Sequence, residues 1–387
     1  MDRIEEPGAS ADAGEGRPES GQKVLVLQGG GALGAYQGGV FEALMEGGVT
    51  PDWVIGTSIG AINAAIIAGN HPQDRLARLQ AFWRRVEHSG LVRTAAGSGM
   101  FGPFWADAMV ATTGVPGFFQ PNLAALFGLD ASLGAERAGF YSTAPLERTL
   151  SELIDFDVLN NGSMRLTVGT ANLRTAEMRY FDSRAETLTV RHIMASCALP
   201  PAFPPVRIDG ELYWDGAVVS NTPLEAVFDD NPRRSGLVFA VHMWNADGPE
   251  PDTMAKVFTR EKDVRYSSRA VYQVARQKQL HKLRHVISEL ASRLPEEVRS
   301  LAEVKALAAY GCTTRMHVVR LTSPMLEGET STKDIDFDGR RIAARWRQGR
   351  RDAAAVLVQA PWRGAFDPLE GFIVHDAGGE ATAPDAS

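Results

Sequence analysis

Cysteine is scarce: Cys197 and Cys312 are the only two in 387 residues. Two are too few for a disulfide framework, and neither has a partner at metal-ligand spacing, so no metal site is expected and a reducing, cytoplasmic compartment is. Positive charge is not in excess either. Forty Lys and Arg against 47 Asp and Glu give a net charge of -7 and a pI near 5.7. That balance lacks the basic footprint of a general nucleic-acid binder, and no nucleic-acid partner is expected. Long apolar runs are missing as well. The longest uncharged stretch, Ala108 to Leu129, is broken by Gly114, Pro116, Gly117 and Pro121, which a membrane-spanning helix does not tolerate in lipid. Residues 1–21 have neither the basic n-region nor the apolar core of a signal peptide; with 376–387 they read as disordered tails.

What is present is a chain 44% hydrophobic, enough to bury a large core. Residues 24–28 are an apolar run of the kind found in buried parallel strands, and three glycines follow at once. Tyr36, Val40, Phe41 and Leu44 then recur at helical spacing, predicting a helix over Ala35–Glu46 that stops at Gly47-Gly48. A second strand at 53–55, a tight turn at 56–60 and a helix at 61–68 repeat the pattern. Two consecutive strand-loop-helix units predict an α/β sheet. Further strands are expected at 165–170, 178–181 and 237–242, a helix at 189–199, and a two-residue hairpin turn at Asp209-Gly210 within Val206–Tyr213. Beyond residue 255 the chain reads as helical and rich in charge.

Gly56-Thr57-Ser58-Ile59-Gly60 is G-x-S-x-G between a strand and a helix. Serine on such a turn presents its hydroxyl at a helix N-terminus, where the dipole favours developing negative charge, and the flanking glycines relieve the crowding. The loop Gly29-Gly30-Gly31-Ala32-Leu33-Gly34 also lies between strand and helix. Its backbone N–H groups suit either a phosphate or the oxyanion of acyl transfer, and the loop alone does not choose. Read as G-x-G-x-x-G it raises a rival, a dinucleotide-binding oxidoreductase. That motif expects an acidic residue closing the second strand, whereas Asp52 precedes this strand and Ser58 follows it.

Downstream stands Asp215-Gly216-Ala217, preceded by the run Ala195 to Pro205 and followed by Ser220-Asn221-Thr222-Pro223. The order of these motifs over residues 22–245 strongly resembles the patatin-like phospholipases, in particular a bacterial subgroup with a C-terminal extension of unknown role. The resemblance implies a three-layer α/β/α fold with a central, mostly parallel sheet. It implies a catalytic domain over 22–250 and a helical extension over 251–375. It further implies hydrolysis of lipid esters without any cofactor, with Ser58 as nucleophile, Asp215 as base and the N–H groups of Gly29, Gly30, Gly31 and Gly34 forming the oxyanion hole. Asp209, in its hairpin turn, is a decoy. One departure stands out: the family carries Arg or Lys at the fifth loop position, and here it is Leu33. Two alternatives remain open, a Ser-Asp-His triad completed by His242 or His375, and a lipid-binding protein that has lost catalysis.

Between Arg93 and Arg137 there is no Lys or Arg, and the segment is rich in large apolar groups, among them Met100, Phe101, Phe104, Trp105, Met109, Phe118 and Phe119. An insertion over 95–135 is therefore expected to serve as lid or acyl pocket. Residues 256–299 hold eleven Lys and Arg against five Asp and Glu, with Leu283, Ile287, Leu290 and Leu294 at helical spacing; Arg340–Leu357 holds six Arg. These two basic helices are the candidates for peripheral contact with an anionic membrane. Nothing in the sequence specifies an oligomeric state.

Overall fold

The computed structural model describes residues 21–87, 113–128, 130, 132–367 and 370–377. Met100, Phe101, Phe104, Trp105 and Met109 of the expected insertion, and nearly all of both expected tails, lie outside the described residues. The apolar runs become strands. Among the described residues nine form one sheet: β1 (Gln22–Leu27), β2 (Trp53–Thr57), β3 (Arg165–Asn172), β4 (Met178–Asp182), β5 (Val206–Ile208), β6 (Glu211–Asp215), β7 (Gly236–His242), β8 (Met316–Thr322) and β9 (Phe372–Asp376). The helices that matter below are α1 (Ala35–Glu46), α2 (Ile59–Ala68), α3 (Arg75–Val86), α4 (Ala144–Leu153), α5 (Val190–Ser196), α6 (Glu225–Phe228), α7 (Met254–Ser292) and α8 (Gly339–Gln359).

β1 lies between β2 and β7 and is parallel to both. β8 and β9 continue in parallel beyond β7, and β3 lies parallel to β2 on the other side. Alternation along β1 sends Leu25 and Leu27 into a core under α1, α2, α3 and α8, and Val24 and Val26 into a second core with Val227, Phe228 and Val274 of α6 and α7. Helices therefore cover both faces, which is why these strands are apolar at nearly every position. This is the expected three-layer α/β/α arrangement with a mostly parallel sheet.

Residues 251–375, expected as a helical extension, include the 39-residue α7 and the 21-residue α8. They also contribute β8 and β9 to the central sheet. The hairpin turn falls where the dipeptide predicts. Ile208 pairs with Glu211, and Asp209 and Gly210 take φ of 49° and 86°, the two positive values a type I′ turn requires. No helix among the described residues is long and apolar enough to cross a membrane.

Candidate active site

The sheet order reverses at β1: the chain runs from β1 to β2 on one side and returns later to β7 on the other. Ligands of open α/β sheets bind at such a switch point, beyond the carboxyl ends of the strands. The Gly loop leaves the carboxyl end of β1 and Ser58 leaves that of β2.

Strand register brings Asp215 to the same place. β4 occupies one edge of β3 along residues 167–171. Both β2 and β6 must then lie along the other edge, end to end. Thr57 pairs with Gly169 and the next position, Thr170, pairs with Asp215. The last residue of β2 and the last residue of β6 are thus neighbours, although the motifs that contain them are far apart in the chain.

The serine turn is tight. Ser58 has φ 57° and ψ -128°, a conformation costing a non-glycine residue about 1–3 kcal/mol. A Cβ at Gly56 would sit 2.2 Å from the Gly60 carbonyl oxygen, and one at Gly60 would sit 2.1 Å from that of Leu27. Both flanking positions must be glycine for this turn to close against β1. Ser196 Oγ accepts from Ser58 N at 3.0 Å and donates to Gly169 O at 2.7 Å, tying the turn to β3. Cys197 Sγ donates to Ser58 O at 3.4 Å, and Asp215 N donates to Ala198 O at 3.0 Å. The carboxyl end of α5 therefore holds the Ser58 turn and the Asp215 strand together.

Asp215 is completely buried, and Gly216 and Ala217 follow it in a 3₁₀ turn. Its Oδ1 accepts from Ala217 N at 2.8 Å. Oδ2 is buried and has no hydrogen-bond partner within bonding geometry among the described residues, while the neighbouring Ser58 hydroxyl lowers the proton affinity of the carboxylate. Serine and carboxylate face the same cavity. Burial dominates the carboxyl's affinity for protons: it raises the pKa from 3.8 to about 7, against the smaller opposing effects of Ala217 N and Ser58.

The glycines divide their tasks. Gly29, Gly30 and Gly31 line the cavity beside Ser58; Gly34 is buried where α1 meets Ile59 of α2. Gly29 N donates to Asn221 O at 3.3 Å, whereas the N–H groups of Gly30 and Gly31 donate to no group among the described residues. The carbonyl of Gly29 accepts from Asn221 Nδ2 at 3.0 Å and from Trp244 Nε1 at 2.9 Å. Because that carbonyl and the N–H of Gly30 belong to one planar trans peptide, fixing the first aims the second in the opposite direction. Leu33 is 2% exposed and belongs to the core, so its side chain takes no place at the mouth of the site.

The cavity measures about 200 Å³. Phe118 and Phe119 form part of its wall together with Tyr141 and Phe203, their rings 4.9 to 6.4 Å apart in edge-on contacts. Among the described residues no histidine lines it. His242 lies near Arg320 and Asp376 in a separate cavity, with burial holding its pKa at about 4. His375 stacks on His317, nitrogen to nitrogen 3.0 Å. Sequence reasoning missed the roles of Ser196, Asn221 and Trp244, and it missed Ile335 and Phe337, which also line the cavity. The first two stand in motifs that were legible, and for Ser196 a polar residue inside an otherwise apolar run was the available signal.

The sequence model described as "Patatin-like phospholipase" matches residues 25–228, and one described as "Patatin phospholipase" matches residues 264–369. An uncharacterized protein of Acanthamoeba polyphaga mimivirus is 24% identical over 242 residues, 59% of this chain and 69% of that protein. Lysophospholipase nte1 of Aspergillus terreus is 25% identical over 259 residues, 61% of this chain; the match spans 14% of the length of that relative. Among solved structures, VipD from Legionella pneumophila is 14% identical with a TM-score of 0.36, covering 88% of this chain and 67% of that one. With the first of these family matches spanning more than half of the 387 residues, the chain belongs to the patatin-like phospholipase family, a class of lipid ester hydrolases.

Proposed function

We propose that the chain hydrolyses carboxylic esters of lipids through a Ser58–Asp215 dyad and an acyl-enzyme. One observation carries the reading: a fully buried carboxylate with a pKa near 7, one oxygen of which has no partner among the described residues, stands beside a serine on a strained strand-to-helix turn. A base works best when its pKa is near the working pH, and burial supplies that here. Ser58 Oγ attacks the ester carbonyl carbon while Asp215 Oδ2 takes the hydroxyl proton. The N–H groups of Gly30 and Gly31 hold the oxyanion, and the N-terminus of α2 adds its dipole. Collapse of the intermediate expels the alcohol, which leaves with the proton from Asp215. Water then attacks the acyl-serine, gives a proton to Asp215 and releases the carboxylic acid, and Asp215 returns the proton to Ser58. No step calls for a metal or an organic cofactor.

The aromatic wall favours an acyl chain over a polar substrate. A cavity of about 200 Å³ is small beside the ~300–1,000 Å³ of typical small-molecule sites and suits one chain rather than two. The lysophospholipase name of several relatives accords with a one-chain substrate. The absence of histidine from the described wall favours the dyad over a triad.

The test is covalent labelling by a fluorophosphonate together with ester turnover. Wild type should label and turn over. Ser58→Ala should do neither, losing at least about 10⁴-fold in kcat while its circular dichroism is unchanged. Labelling or turnover retained by Ser58→Ala would remove the reading, and a wild type that never labels would favour a lipid-binding protein.

We further propose that α7 meets an anionic lipid surface. It holds nine Lys and Arg against three Asp and Glu in an acidic protein, and Met254, Phe258, Tyr272, Leu283 and Leu290 are exposed along it. Pairing within the chain takes up Lys256, Lys262, Arg265 and Lys278 of the nine basic residues of α7, but Arg340, Arg341, Arg345 and Arg350 of the six of α8, which makes α8 the poorer candidate.

A further inference from the structure

Residues 323–338 follow β8 and contain no motif, yet they close the cavity over the Gly loop. Asp334 O accepts from Ala32 N at 2.8 Å. Gly31 takes φ 56°, and a Cβ there would lie 2.1 Å from the same oxygen, so segment and loop meet backbone to backbone. Ile335 and Phe337 line the cavity. The ring of Phe337 is 2% exposed and lies 5.7 Å from Phe118 on the cavity side and 6.5 Å from Trp83 of α3 behind it. Phe337 therefore closes the cavity toward α3.

The segment is fixed by charges that a mere connection would not need. Lys333 pairs with Asp263 of α7 at 2.7 Å, and Glu329 with Arg345 of α8 at 2.9 Å, each of the four side chains less than one-tenth exposed. Arg345 also donates to the carbonyls of Lys333 and Asp336, at 3.1 and 3.2 Å. Burying such pairs gives up hydration that apolar side chains would never have to lose, so their return is a defined position rather than stability. Lys333 Nζ lies 5.2 Å from the ring of Trp244, the side chain that donates to Gly29 O. The same anchor thus stands behind both the acyl wall and the oxyanion loop.

We infer that segment 323–338 selects the length of the acyl chain, with Phe337 as the residue that sets it and the two buried pairs as its supports. The inference rests on the ester-hydrolase reading above. A chain entering beside Ser58 ends against the packed rings of Phe118 and Phe337, and the bulk at position 337 decides how many methylenes leave water. Each methylene that gains a place contributes about fourfold to kcat/KM, the equivalent of ~0.8 kcal/mol.

The test uses the full chain and a series of p-nitrophenyl esters from acetate to dodecanoate. Phe337→Ala should move the optimum by two or more carbons toward longer chains, raising the long-to-short ratio of kcat/KM about tenfold or more. Phe337→Trp should move it toward shorter ones, and Phe337→Leu, which keeps the site apolar and filled, should fall between wild type and the Ala variant. Should Phe337→Ala fail to fold by thermal melting, the Leu and Trp variants decide alone. An identical chain profile in every variant that folds and still labels with fluorophosphonate overturns the inference and leaves the hydrolase reading standing. A wild type that never labels removes both.

Discussion

Replacing Asp215 by Asn should abolish turnover and, above neutral pH, make the protein more stable. Asn keeps the shape and still offers an oxygen to Ala217 N, but it carries no charge. In the wild type burial raises the Asp215 pKa from 3.8 to about 7, a difference corresponding to about 4 kcal/mol. A folded-state pKa above the unfolded one means that the folded protein holds the proton more tightly. The stabilising contribution is therefore fully present below pH 4 and is lost as pH rises through about 7. The Asn variant has no such loss. Its stability relative to wild type should be flat below pH 4, climb between pH 4 and 7, and level near +4 kcal/mol at pH 8. Urea denaturation of both proteins at matched pH values isolates the difference, since every other titrating group is common to the two. A difference independent of pH from 4 to 8, or one favouring wild type as pH rises, would refute the claim that this carboxylate is held against ionisation by burial. With the proposed dyad, the same pKa predicts that wild-type kcat/KM rises with pH through about 7, because the base must be ionised to take the serine proton.

Trp244→Phe keeps the aromatic contact with Tyr266 but removes the Nε1 donor to Gly29 O. Its kcat should fall about tenfold to hundredfold with KM nearly unchanged, less than the 10²–10³ of removing an oxyanion donor outright; a change in KM alone would mean that the indole serves packing only. For α7, co-sedimentation with phosphatidylserine-containing vesicles should be strong at low salt and weaken several-fold at 0.5 M NaCl. Equal binding to neutral vesicles, or none to either, would remove the proposed contact.

Local chemistry was legible and long-range chemistry was not. Helix α1 occupies the residues that the spacing of Tyr36, Val40, Phe41 and Leu44 predicts, and Asp209-Gly210 forms the predicted turn, because both are decided within a few residues of chain. β8 and β9 were missed for an equally physical reason. Met316–Thr322 and Phe372–Asp376 contain His317, Arg320, His375 and Asp376, which break the apolar run expected of a buried strand, and those groups find one another across the pair. The site divides in the same way. The Ser58 turn and the Gly loop can be read from glycine spacing, whereas the adjacency of Asp215 to Ser58 depends on the two strands that share one edge of β3. The role of Asn221 depends on a carbonyl 192 positions away in the chain.

The same distinction bears on where the catalytic unit ends. All seven residues of β7 are buried, and the strand is paired along both edges, by β1 and by β8. Without β8 an apolar edge would stand open to pairing with other chains, a state that sheets avoid. On the opposite side α8 lies on α1 at backbone distance: a Cβ at Gly39 would come within 1.9 Å of Trp346 O, and one at Gly349 within 2.0 Å of Tyr36 O. Tyr36 donates to Asp352 at 2.8 Å, and Arg350 pairs with Glu46 at 2.9 Å. Helix α1 is the one that the Gly loop opens, so a displacement of α8 would be transmitted to the N–H groups of Gly30 and Gly31. A boundary at residue 250 follows the motifs but cuts through the sheet, and a protein shortened there would keep Ser58 and Asp215 while losing the contacts that hold α1 and the Gly loop.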